Sequence, residues 1–231
     1  MINFSRYAVY YSPSEGSALF KFGASWLGWD TIKAKKVARP IFENLSFEIT
    51  EITEFQSRYG FHGTLKPPFA LVKNRSLFEL KHALSKLVGT IRQFEIPEMS
   101  LKVVDGFVAL VPKVKNDRIG FLANKCVEYL DNFRELESIE EIEKRRAVEL
   151  SSSQEYNLKK WGYPYVMNDF KFHLTLSGKL KLEVANAVIE FLNSELQCVL
   201  NSPFPVDAIC LFGERASDQK FQLIKRFPLA D

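Results

Sequence analysis

Two short segments hold the residues best suited to chemistry. Phe61 to Leu65 reads FHGTL and Phe172 to Leu176 reads FHLTL, and these two segments hold two of the chain's three histidines. On an extended strand alternate side chains share a face. Arg58, Gly60, His62, Thr64 and Lys66 are therefore expected on one face, with Tyr59, Phe61, Gly63 and Leu65 on the other. In the second copy Lys171, His173, Thr175 and Ser177 face one way, and Phe170, Phe172, Leu174 and Leu176 the opposite way. Each copy then has an apolar face for a core and a polar face carrying an imidazole and a hydroxyl two residues apart.

One strand histidine is usually structural, but two in equivalent settings read as a single site. Imidazoles titrate near neutral pH, so a pair can act as base and acid. A tetrahedral phosphate held between the copies would lose a proton from an attacking water to one histidine and gain one on its leaving oxygen from the other. Thr64 and Thr175 would donate hydrogen bonds to the non-bridging oxygens. Arg58, Lys66 and Lys171 are flanking candidates for the anion or, equally, solvated edge charges. No metal is expected, because zinc takes three or four ligands and His82 lies among the leucines of a helix. No GxSxG, Walker loop or GxGxxG is present, so no cofactor is expected either.

The surrounding pattern supplies elements to position these residues. Arg6 to Tyr11 reads as a strand, and Ser17 to Trp29 as a helix that Gly28 can end. Tyr59 to Val72 begins as a strand and is expected to bend at Pro67-Pro68. Ser76 to Ile91 is amphipathic, with Leu77, Leu80, Leu84 and Leu87 as its stripe and a capping box at Ser76 and Glu79. MSLKVV and FVALVP flank Asp105-Gly106, a hairpin signal. Asp117 to Phe133 reads as a second helix, presenting Ile119, Leu122, Cys126, Tyr129 and Leu130 on one face.

Glu135 to Trp161 is charged and helix-prone, either a solvated excursion or a lid. Phe170 to Leu176 reads as a strand and Leu180 to Leu196 as a helix, followed by strands at Val206 to Phe212 and Phe221 to Phe227. Each half thus runs His-x-Thr strand, helix, two strands, which is an internal repeat. The expected fold is α+β: two pseudo-symmetric lobes whose antiparallel sheets line a central cleft, with helices outside. The lobes span approximately 1–115 and 165–231, around a helical excursion at 117–165, in a single bilobal domain.

Bulk properties set the outer limits. The 231 residues, 46% hydrophobic and 26% charged, suit a globular chain. A net charge of +3 suits an anionic ligand but not a broad nucleic-acid groove. Cys126, Cys198 and Cys210 form no pattern and read as buried, reduced thiols. No leader or membrane span is evident, so a cytoplasmic protein, most simply a monomer, is expected.

HGTL at 62–65 and HLTL at 173–176 resemble the paired motifs of the two-histidine (2H) phosphoesterases. RYAVYYSP, FGASWLGWD, RYGFHGTLKPPF, CVEYLDNFR and WGYPYVMNDFKFHLTLSGKL resemble one bacterial branch of that superfamily, described by a role in phosphonate metabolism. The resemblance runs from about residue 6 to 180. It implies a metal-independent cyclic phosphodiesterase with His62 and His173 as the acid–base pair and Thr64 and Thr175 as phosphate ligands. The order of the two roles, and the direction of reaction, stay open. It also implies a small cyclic ribose phosphate as substrate and places a strand beside the catalytic ones, so that Tyr7 and Tyr11 would border the cleft. Trp161, Tyr163 and Tyr165 of WGYPY would either stack on a base or sugar or tie the excursion to the core. Two other readings remain: an enzyme acting on RNA 2′,3′-cyclic phosphate ends, and a non-catalytic binder of cyclic nucleotides or RNA.

Overall fold

A computed structural model describes residues 2–43 and 45–231. The chain opens with β1 (Phe4–Tyr11) and α1 (Ala18–Leu27). Ser17 caps α1 by accepting from the Phe20 backbone N–H, and Gly28 ends it in the left-handed region at φ 71°. A two-residue pairing of β2 (Trp29–Asp30) with β3 (Lys35–Lys36) leads to α2 (Ile49–Ser57). Next come β4 (Gly63–Phe69) and α3 (Leu77–Val88), which carries both bonds of the expected capping box. The short β5 (Phe94–Ile96) precedes the hairpin of β6 (Met99–Val104) and β7 (Phe107–Pro112). Asp105 and Gly106, at φ 50° and 89°, form its two-residue turn.

The excursion comprises α4 (Asp117–Tyr129), α5 (Ile139–Arg146) and α6 (Ser152–Trp161). Helix α5 has no buried residue, consistent with its charge-rich sequence. Then follow β8 (Leu174–Lys179), α7 (Leu182–Glu195), α8 (Gln197–Leu200), β9 (Phe204–Val206), β10 (Ala208–Arg215) and β11 (Phe221–Pro228).

Seven strands form one sheet in the order β11-β10-β1-β4-β8-β7-β6. Its two halves meet where β4 and β8 pair antiparallel, with Gly63 opposite Leu174. The two lobes therefore share a continuous sheet. The two repeats also exchange their hairpins: β6–β7, from the first half of the chain, pairs with β8, while β10–β11 pairs with β1. Stripes from α1, α3, α4 and α7 cover one face and build the main core with Trp26, Leu80, Leu84, Leu122, Val188 and Leu192. On the opposite face a smaller apolar cluster gathers Ala8, Tyr10, Cys210, Phe212 and Phe221.

Several local expectations are corrected. The strand does not begin at Tyr59. Helix α2 runs to Ser57 with Arg58 as its cap, and Gly60 at φ 72° turns the chain before β4. The expected bend at Pro67-Pro68 falls inside β4, which continues to Phe69. The ladder pairs Tyr7 with Phe69 and Val9 with Lys66, so Pro67 and Pro68 fall in an irregularity where no ladder N–H is required. Tyr129 is 46% exposed, so the buried face of α4 holds Ala123 and Val127 instead. Cys126 and Cys210 are buried, but Cys198 is exposed near the end of the chain.

Candidate active site

The pairing of Gly63 with Leu174 organises the site. Continuing an antiparallel register from that pair sets His62 opposite Thr175 and Thr64 opposite His173. The four side chains border one pocket of about 360 Å³. Its floor is the joint between the two halves of the sheet.

The two imidazoles are held alike. Nδ1–H of His62 donates to the carbonyl of Gly60 at 2.9 Å, and Nδ1–H of His173 donates to that of Lys171 at 2.8 Å. In both cases the acceptor lies two residues upstream. Each bond fixes the tautomer, leaving Nε2 without a proton in the neutral ring. The Thr64 hydroxyl donates to Nε2 of His62 at 3.2 Å. Tyr10 stacks on the His62 ring with centroids 3.8 Å apart. Burial lowers His62 to about 4, against the raising effect of the Gly60 carbonyl and with a further lowering from His173. His62 is therefore neutral at pH 7.

The flanking basic candidates are placed elsewhere. Lys66 is 2% exposed and points into the main core. The register supplies the reason: Tyr10 pairs with Thr64 but Val9 pairs with Lys66, so one step on β1 spans two on β4. That bulge turns Lys66 onto the face of Val9 and away from Thr64. Its ammonium lies 3.8 Å from Asp131 and 5.1 Å from the Phe69 ring centroid, and burial lowers it to about 8 despite Asp131. Arg58, on the helix cap, donates to the Glu214 carboxylate and to the Gln219 carbonyl. Lys171 opens onto a second cavity of about 640 Å³ beside the start of α4, which meets the first at His173.

Tyr7 and Tyr11 are corrected in the same way. Both lie in the main core, where Tyr11 packs on Phe172 and Phe204. The pocket is bordered by the opposite parity of β1, Arg6 and Tyr10. Of the three aromatics in WGYPY only Tyr163 borders the pocket. Tyr165 meets it edge-on at 5.6 Å, and Trp161 lies under the Lys160 ammonium.

Several pocket residues escaped the sequence reading, among them the polar or titratable Arg6, Tyr10, Gln56 and Arg145 and the aromatic Phe55, Tyr59 and Phe107. Arg6 donates through Nε and an Nη to the two oxygens of Glu214, at 2.7 and 2.9 Å. Burial pushes the Glu214 carboxyl up, but hydrogen bonds from Arg6, Arg58 and Ser5 outweigh it and bring the group down to about 2. The result is a fixed cationic edge. Arg145, from α5, lies over the Tyr163 ring at 5.4 Å and 3.8 Å from Glu137. Parity could have found Tyr10 once β1 was placed beside β4, but no local signal marks Gln56 or Arg145.

Among the described residues no three His, Cys, Asp or Glu side chains gather as a metal site would need, and His82 is exposed on α3. No helix among them is long and apolar enough to cross a membrane.

A family model described as "Protein of unknown function (DUF1045)" matches residues 64–222, and the chain belongs to that family. Curated relatives include a protein of Janthinobacterium sp. (strain Marseille) named "Ribose 1,5-bisphosphate phosphokinase PhnN". It is 29% identical over 98% of this chain and 51% of its own length. A protein of the same name from Laribacter hongkongensis (strain HLHK9) is 28% identical over 95% of this chain and 51% of its own length. The chain thus spans about half the length of these relatives. Similar solved structures include one described as "Crystal structure of phosphoesterase", at 13% identity and a TM-score of 0.47, covering 99% of this chain and 100% of that one. Another is E. coli LigT in apo form, at 12% identity and a TM-score of 0.47, covering 99% of each chain.

Proposed function

We propose that this member of the DUF1045 family is a cyclic phosphodiesterase that opens a small cyclic ribose phosphate without a metal. The observation that carries the reading is the meeting of two His-x-Thr segments across one antiparallel pair, with all four side chains on one pocket.

In the proposed reaction a phosphate lies between the copies. His62, kept neutral by burial, takes a proton from water through Nε2 as the water oxygen bonds phosphorus. His173 enters the step protonated. Its Nδ1–H stays on the Lys171 carbonyl while Nε2–H gives its proton to the departing ring oxygen. One P–O bond forms and one breaks, leaving a phosphomonoester, and exchange with solvent restores both rings. The Thr64 and Thr175 hydroxyls turn toward the non-bridging oxygens and stabilise charge as it builds. Arg6 and Arg145 contribute a positive edge suited to an anion.

The pocket is of a size that suits a small metabolite. Small-molecule sites span about 300–1,000 Å³, and about 360 Å³ lies near the lower end of that range. Ribose phosphate chemistry is also in the name of the half-matching relatives, which supports ribose as the carrier of the cyclic phosphate.

Turnover of cyclic ribose phosphates, 2′,3′-cyclic nucleotides and short RNA with cyclic phosphate ends, all in EDTA, tests the proposal. Activity should persist in EDTA, be greatest on the sugar phosphate, and fall by about 10²–10⁴-fold in each of His62→Ala and His173→Ala. Loss of activity in EDTA would overturn the metal-free reaction. RNA as the best substrate would move the function to RNA ends, and tight cyclic-nucleotide binding with no turnover would make the protein a binder.

A further inference from the structure

Gln56 sits on the last turn of α2 and is 6% exposed, yet its Oε1 has no hydrogen-bond partner. Buried polar atoms are nearly always paired, and an unpaired one calls for a specific explanation. The position suggests one. Gln56 borders the candidate pocket, whose lining also includes Tyr59 and Thr175. Behind it β8 passes close: a methyl group built on Gly178 would lie 3.6 Å from the Gln56 oxygen. The amide is thus wedged between the strand that carries the second His-x-Thr copy and the space a substrate would fill.

We infer that Gln56 is a specificity residue that hydrogen-bonds a free sugar hydroxyl next to the cyclic phosphate. The inference rests on the phosphodiesterase reading and narrows its substrate class to cyclic phosphates of polyols with at least one unesterified hydroxyl. A primary amide offers a donor at one end and an acceptor at the other, exchanged by a half-turn of its terminal bond. A hydroxyl both donates and accepts, so it pairs with whichever end faces it. A methylene pairs with neither end of the amide, and an ether oxygen can only accept from its N–H, leaving the amide oxygen without a donor. The charge on the phosphate is already addressed by the threonines and by Arg6 and Arg145 on other elements, so a neutral amide at this position discriminates by hydrogen bonding.

Two substrates of equal charge and the same fused rings separate this idea from its premise: ribose 1,2-cyclic phosphate, and its 3,5-dideoxy analogue, which keeps the leaving oxygen and has no free hydroxyl. Wild-type kcat/KM should favour the ribose compound by about tenfold or more, the effect of one lost hydrogen bond that strands a buried group. In Gln56→Met the preference should collapse toward unity, with the greater loss on the ribose compound. Equal wild-type rates on the two compounds would overturn the inference while leaving the phosphodiesterase intact. So would a preference that survives in both Gln56→Met and Gln56→Leu. Turnover of neither compound, nor of any cyclic nucleotide, would overturn both. The wild-type comparison requires no variant, and Gln56→Leu repeats the second arm should Gln56→Met fail to fold.

Discussion

The two His-x-Thr copies are near-duplicates in sequence and in local hydrogen bonding, yet their surroundings differ. The first copy enters β4 from the turn after α2. Its histidine lies under Tyr10, accepts from Thr64 and is depressed to about 4 by burial. The second copy enters β8 from an irregular segment, and its histidine stands at the meeting of two cavities. A pair of identical motifs is ambiguous about roles. Both rings are half-buried, but only the first is stacked under a tyrosine, and in the proposed reaction that packing would divide the labour, because desolvation disfavours the charged form of an imidazole. The first copy then suits a base that must start neutral, which leaves the acid's role to the second.

The largest test of that division uses the leaving group. A diester of 4-nitrophenol departs without a proton, so it needs a base but no acid. On that substrate His62→Gln should lose about 10²-fold or more in kcat, while His173→Gln should lose less than about tenfold; on a cyclic ribose phosphate both should lose heavily. Equal losses on the nitrophenyl substrate would erase the distinction between the copies.

A smaller effect should appear in stability. The folded-state value of His62 lies below the 6.5 of a free side chain, so between about pH 6.5 and 4 the unfolded chain binds the extra proton. The stabilisation is therefore complete above pH 6.5 and lost as pH falls through that window, by up to about 3 kcal/mol. Denaturant titrations from pH 7 to 4 should show a steeper decline for wild type than for His62→Gln. Parallel curves would mean that His62 is not held neutral.

The smallest effect is expected at Lys66, the residue that sequence parity placed beside the phosphate. Lys66→Met should change kcat/KM by less than about threefold. Asp131 keeps its ion pair with Arg134, and a methionine fills the same buried space. A large loss of affinity for the anionic substrate would return Lys66 to the site.

The contrast between Lys66 and Thr64 also marks how far the chain could be read. What the sequence determined by itself was whatever depends on neighbours within a few residues. Ser76 and Glu79 specify a capping box, Asp105-Gly106 specifies a tight hairpin, and the leucine stripe of α3 specifies which face of that helix is buried. The duplicated His-x-Thr was legible because a His and a Thr two apart share a face on any extended backbone.

Only the tertiary structure decided the rest. Alternation holds while the backbone stays regular, and here it is interrupted twice: α2 ends at Arg58, and β4 bulges where it pairs with β1. The first interruption sent Arg58 to Glu214, and the second turned Lys66 into the core. The parity of β1 was equally open, since RYAVYY offers tyrosines to both faces and only its place between β4 and β10 selected Tyr10 for the pocket. Gln56 lies six residues before His62 but on a helix rather than the strand, and Arg145 comes from a helix distant from both motifs in sequence. A bulge, a strand's neighbours and the approach of a distant helix are settled by pairing and packing across the whole sheet, so the paired His-x-Thr motifs were visible in the sequence and most of their surroundings were not.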